Sequence, residues 1–193
     1  MNENTEIIKI FDECIHTIEL SKSFISQIVL LKNKIIECLE SENKIIIFGN
    51  GGSASDAQHF AAELIGRFRI ERKSLSAIAL TTDTSIITAI GNDYGFDHVF
   101  ERQCNGLVKK NDIIFAISTS GKSKNVIEGV NASKNKGAMI VGLLGNDGGI
   151  IKSLCDISLV VPSKSTPRIQ EVHRLIMHAI CELVDEYYQR KKD

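Results

Sequence analysis

Ile45-Ile46-Ile47-Phe48-Gly49-Asn50-Gly51-Gly52-Ser53-Ala54 decides the fold. Its first four residues are apolar without interruption and rich in β-branched side chains. That is the pattern of a short strand covered on both faces, as parallel sheets require. A glycine-rich turn follows and runs into Asp56-Ala57-Gln58-His59-Phe60-Ala61-Ala62-Glu63, which reads as a helix. Similar, mainly apolar runs occur at 77–80, 113–117, 139–144 and 157–161, most of them separated by helical segments. The alternation predicts an α/β fold: a doubly wound, mainly parallel five-stranded sheet flanked by helices. The last helix is expected from about 169 to 188. In such sheets ligands collect beyond the carboxyl ends of the strands, where loops lead into helices.

Upstream of this pattern, Ile7, Ile8, Phe11, Ile15 and Ile18, then Ile25, Ile28, Leu31, Ile35 and Leu39, recur at helical spacing. They predict two helices with a break at Ser21-Lys22-Ser23. This arm has two readings: cover for the chain's own sheet, or packing against another copy. With 193 residues the chain is expected to form a single domain. Residues 1–42 would be its N-terminal helices and 43–193 its α/β core.

The 23 basic and 24 acidic residues nearly cancel, which leaves no electrostatic footprint for nucleic acid. The one basic cluster, Arg67, Arg69, Arg72 and Lys73, is interrupted by Glu71 and is expected to be a solvated face. Five scattered cysteines without a C-x-x-C pair suit reduced thiols in the cytoplasm. No apolar run approaches the roughly 20 residues of a membrane span, so no membrane partner is expected.

Two loops carry the chemistry. Gly49-Asn50-Gly51-Gly52-Ser53-Ala54 formally fits the dinucleotide pattern G-x-G-x-x-G/A, with Asp83 placed to pose as the ribose-binding acid. Gly121-Lys122-Ser123 resembles the end of a triphosphate-binding loop, but position 116 is alanine where that motif needs glycine. No nucleotide cofactor is expected. Ser118-Thr119-Ser120 and Ser123 place four hydroxyls around Gly121 at a strand-to-helix turn, a phosphate site made from hydroxyls and free helix-start amides. Helix capping by one serine is the competing reading.

Taken together, Phe48-Gly-Asn-Gly-Gly-Ser53, His59-Phe-Ala-Ala-Glu63-Leu, Gly91-Asn-Asp-Tyr-Gly95, Ile117-Ser-Thr-Ser-Gly121 and Arg168-Ile-Gln170-Glu-Val-His173 with His178 resemble the sugar isomerase (SIS) domain. More closely, they resemble the bacterial phosphoheptose isomerases, over essentially the whole chain. The resemblance implies an aldose–ketose isomerase that converts sedoheptulose 7-phosphate to D-glycero-D-manno-heptose 7-phosphate through an enediolate. It implies that this reaction leads to nucleotide-activated heptose for lipopolysaccharide or capsule, and that the protein is a homotetramer with active sites at subunit interfaces.

Such a reaction needs a base on carbon and an acid that serves both oxygens. The resemblance assigns these roles to Glu63 and His178. It implies substrate contacts at Asn50, Gly51, Gly52, Ser53, Glu63, Asn92, Asp93, Ser118, Thr119, Ser120, Ser123 and Gln170. Asp93 has an equal reading as a turn residue, and Arg67 reads as a phosphate contact or a helix cap. The resemblance also implies one zinc per subunit held by His59, Glu63, Gln170 and His178. His59 and Glu63, four apart, share one helix face. Glutamine is a poor zinc ligand, however, and a zinc-bound glutamate is a weaker base than a free one. The rivals are a non-catalytic SIS protein of the kind that associates with the DnaA initiator, an SIS-type sugar-phosphate sensor, and a nicotinamide enzyme.

Overall fold

The computed structural model describes residues 2–191. Its five strands are β1 (Ile45–Gly49), β2 (Ala77–Ala79), β3 (Ile113–Ser118), β4 (Met139–Leu144) and β5 (Ile157–Val160). They form one sheet in the order β2-β1-β3-β4-β5, and every pairing is parallel. The expected mainly parallel sheet is therefore wholly so. All five runs are strands: β1 and β3 at the centre are buried throughout, while the edge strands β2 and β5 are partly exposed.

Successive side chains of β1 feed opposite layers. Ile45 and Ile47 pack with α2 (Ile25–Glu40), α3 (Gly52–Ile65) and α8 (Thr166–Arg190). Ile46 and Phe48 pack with α4 (Thr84–Tyr94), α5 (Val99–Leu107), α6 (Lys124–Asn135) and α7 (Gly149–Leu154). The last helix starts three residues before the expected 169, because Pro167 in its first turn has no amide to lose and its fixed φ suits a helix entry.

The arm is α1 (Glu3–Ser21) followed, through a 3-10 turn at Lys22–Phe24, by α2. The turn falls on the expected break. Leu31, Ile35, Ile36 and Leu39 of α2 enter the core, and Arg168 Nη1 donates to Ile10 O (2.7 Å), tying α1 to α8. Ile7, Ile8, Phe11 and Ile15 stay exposed. By length and composition alone, the run Glu3–Glu40 would reach across a membrane, a property that an unbroken apolar run in the sequence does not announce.

The polypeptide leaves β1 for α3 and β3 for α6, and β1 and β3 are adjacent in the sheet. This is the point where strand order reverses and a crevice opens between the two exit loops. Both glycine/serine loops sit there.

Candidate active site

Each glycine of interest permits a close approach. Gly52 opens α3, and a Cβ on it would stand 2.3 Å from Nε2 of Gln170. Gly121, at φ +64°, lies against Gly148, whose carbonyl oxygen would be 2.0 Å from a Cβ. The serine loop thereby folds down onto the start of α7. Within it, Gly121 N donates to Ser118 Oγ (3.1 Å), Lys122 N donates to Ser120 Oγ (3.2 Å), and the Ser118 and Ser123 hydroxyls pair at 3.2 Å. Ser123 occupies the N-cap position of α6 but makes no side-chain capping bond. The capping explanation thus fails at the one serine placed to satisfy it, and the first-turn amides of α6 keep their affinity for an anion.

A reciprocal pair of amide bonds joins the two loops: Asn50 Nδ2 donates to Asn125 Oδ1 and Asn125 Nδ2 to Asn50 Oδ1, both at 2.8 Å. Ser53 is buried beneath the first loop, while Gly51 and Gly52 are exposed on it. Asp83, considered above as a ribose ligand, instead caps α4 by accepting from Ile86 N at 2.9 Å.

Along the seam between α3 and α8, residues of the two helices meet as rungs. Gly52 faces Gln170. Next, Asp56, almost wholly buried, accepts from Arg174 Nε (3.1 Å) and Nη2 (2.5 Å). One turn further, the Nε2 atoms of His59 and His178 are 2.7 Å apart, so one ring donates to the other, and Glu63 Oε1 lies 3.5 Å from His59 Nε2. Gln170, Arg174 and His178 are spaced by four and so share one face of α8. With Gly52, Ser55 and Asp56 they line a cleft of about 520 Å³.

Phe68 stacks on His178, with ring centroids 5.6 Å apart. Burial, reinforced by the neighbouring His59 ring, pulls the His178 imidazole below its ordinary value, against the opposing effect of Glu63. The shift favours the neutral imidazole, which can both give and take a proton. The His59 and Glu63 side chains are 35% and 22% exposed, enough to meet a ligand and too little to be freely solvated. His173, in the same motif, has a structural role: its Nε2–H donates to Leu144 O at 3.0 Å, and burial pushes its pKa down to about 4.

The expected zinc ligands assemble only in part. His59, Glu63 and His178 supply donor types that suit zinc. Gln170 is held at Gly52, two turns of α8 away from His178. Nitrogens bound to one tetrahedral zinc stand roughly 3.3 Å apart, and 2.7 Å is the spacing of a hydrogen-bonded imidazole pair. Among the described residues, no group of three or more His, Cys, Asp or Glu side chains is arranged to hold a metal ion.

Asn92 and Asp93 form the exposed end of α4, where Asn92 Nδ2 donates to Asp93 Oδ1 (2.9 Å), and they do not line the α3–α8 cleft. Gly91–Tyr94 is helical, and the turn follows at Gly95 (φ +88°). The basic cluster is corrected at one member: Arg72 is buried and ion-paired with Asp185 (2.8 Å), while Arg67 is exposed.

A model of the SIS domain family matches residues 13–145. The phosphoheptose isomerase of a Nitratiruptor species is 58% identical over 153 residues, 79% of this chain and 82% of the relative. That of Helicobacter pylori (strain P12) is 51% identical over 179 residues, 91% of this chain and 93% of the relative. The structure of phosphoheptose isomerase GmhA from Neisseria gonorrhoeae superposes with a TM-score of 0.91 at 43% identity, covering 96% of this chain and all of that one.

Proposed function

The chain belongs to the SIS domain family, and within it to the phosphoheptose isomerases, and from that premise we propose that it converts sedoheptulose 7-phosphate to D-glycero-D-manno-heptose 7-phosphate. The observation that carries this reading is the grouping of Glu63, His59 and His178 within hydrogen-bonding or ion-pairing reach, on a seam that begins at the first phosphate-type loop. The hydroxyls of Ser118, Thr119, Ser120 and Ser123 with the α6 amides take the phosphate, and the first loop from Asn50 to Ser53 holds the near end of the sugar.

With the phosphate anchored, Glu63 removes a proton from C1 of the open-chain ketose. Neutral His178 gives its N–H proton to O2, forming the enediol, and then takes the proton of O1. Glu63 returns its proton to C2, and the aldose results with both residues restored. A carboxylate that can hold a proton on carbon's behalf and an imidazole with one donor and one acceptor nitrogen suit this two-way traffic. The DnaA-associating reading would leave Glu63 and His178 without a role, and the relatives named above are isomerases.

Proton NMR of the purified protein with sedoheptulose 7-phosphate in D₂O tests the reading. Conversion to the aldose, deuterium at C2, and loss of turnover by about 10²–10⁴-fold in His178→Ala are expected. No conversion, even with zinc added, would remove the assignment.

We extend the proposal to a zinc ion at His59, Glu63 and His178, taken up as the two imidazoles part from their 2.7 Å contact and Gln170 moves to join them, and to a homotetramer with sites at subunit interfaces. When bound, zinc supplies Lewis acidity to the sugar oxygens. Support for assembly comes from the exposed stripe of Ile7, Ile8, Phe11 and Ile15, a protein-facing surface in character. Asn92 and Asp93, exposed and outside the cleft, would then serve a neighbour's site. Native mass spectrometry reads both claims: four chains with four zinc ions is the expected species, and a metal-free monomer would sink them. We place the protein in the cytoplasm, at the first step toward nucleotide-activated heptose, a location that suits its five free cysteines.

A further inference from the structure

The C-terminal end of α3 has an unusual closure. A helix leaves its last carbonyls without intrahelical donors, and they are commonly met by glycine turns or by water. Here the Arg72 guanidinium meets them from within the core. Its Nη2 donates to Glu63 O (2.7 Å) and its Nη1 to Leu64 O (2.9 Å) and Lys73 O (3.1 Å). Its Nε donates to Asp185 Oδ1 (2.8 Å). The other oxygen of Asp185 accepts from Arg69 N (2.8 Å) and Ile70 N (3.2 Å). Both side chains are almost completely buried, at 1% and 4% exposure. One ion pair therefore fastens three segments: the end of α3, the connection at 69–73, and α8 seven residues beyond His178.

We propose that Arg72, held by Asp185, is a positioning residue for Glu63, fixing the peptide that carries the base relative to the helix that carries His178. This rests on the assignment of Glu63 and His178 made above. Stability alone explains the arrangement poorly. A buried ion pair is weak support for a fold, because desolvation of two charges consumes most of their attraction, and apolar pairs of similar volume commonly serve as well. What an apolar pair cannot do is bond the carbonyl of Glu63. The positive guanidinium also sits at the negative end of the α3 dipole, which favours it there.

The test separates positioning from folding. In Arg72→Met with Asp185→Asn, no buried charge is left unpaired, and asparagine keeps a carbonyl oxygen for the Arg69 and Ile70 amides. The double variant is expected to fold, with kcat at least tenfold lower and KM within twofold of wild type. Arg72→Lys, which keeps the charge but not the fork of donors, is expected to recover only part of kcat. Amide hydrogen exchange should quicken locally at Gly66, whose N–H bonds Ala62 O (2.9 Å), with protection elsewhere unchanged. Wild-type kcat in the folded double variant would overturn the proposal, as would unchanged exchange at Gly66. An inactive wild-type protein would instead defeat the isomerase assignment, and the exchange measurement would still report whether Arg72 fastens α3.

Discussion

Replacing Glu63 by glutamine is expected to lower kcat by about 10³-fold while leaving KM near its wild-type value, since a positioned general base contributes roughly 10²–10⁴. The substitution keeps size and shape and removes only the capacity to hold a proton. Glu63 is partly exposed, and Arg72 bonds its backbone rather than its carboxylate, so the fold does not depend on the charge. Turnover followed by NMR gives kcat and KM. Zinc content measured on the same sample distinguishes a lost base from a lost metal ligand. A variant retaining a tenth or more of wild-type kcat would place the base elsewhere.

The second large effect is on the serine loop. Gly121→Ala is expected to lower stability by about 3 kcal/mol: a positive φ disfavours any Cβ by roughly 1–2 kcal/mol, and displacing packed neighbours adds about 1–3. The obstacle is backbone, the carbonyl of Gly148, which cannot rotate away as a side chain would. At this chain length the melting temperature should fall by roughly 10 °C. The same displacement pulls Ser118 and Ser123 from their places, so KM for the sugar phosphate should rise by about tenfold, the value of one hydrogen bond to a charged group. Calorimetry and steady-state kinetics check the two halves. An unchanged melting temperature would mean that the loop accommodates a side chain, and an unchanged KM would detach this loop from the phosphate.

How much of this is legible in the chain depends on how local each signal is. The five strands are, because cover by helices makes each a short, mainly apolar word, unbroken at 45–48 and 113–117 and carrying Ser158 in the partly exposed edge strand β5. The break at Ser21–Ser23 shows as a polar interruption in a helical stripe and becomes a 3-10 turn displaced by one residue. His59 and Glu63 can be placed on one face by spacing alone. Contacts between distant segments are not legible from spacing, and only the motif resemblance brings His59 and His178 together beforehand. His59 meets His178 across 119 positions and Asn50 meets Asn125 across 75, and no periodicity reports either.

Arg72 reads as solvated in the sequence for the same reason: its partner lies 113 positions away. A signal is nevertheless present. Asp185 falls on the apolar stripe of α8 between Cys181, Val184 and Tyr188, and a lone acid on a buried helix face calls for a buried cation. Gln170 shows the converse. Its place in a motif nominates it as a metal ligand, whereas the position of its amide is set by the absence of a side chain at Gly52, which only the packed structure reveals.

The rungs between α3 and α8 bear on how such a scaffold changes over generations. Each rung pairs one residue from each helix, and successive rungs are separated by about one helical turn, about 5.4 Å. Gly52 with Gln170 stands at the end nearest the first glycine loop, and His59 with His178 at the end that carries the proposed acid. Between them the Asp56–Arg174 pair acts as a spacer. Under the proposed roles, a lineage that rewrites the first rung changes which sugar is admitted and inherits the reactive end unaltered, so novelty in substrate and constancy in chemistry have separate addresses on the same two helices.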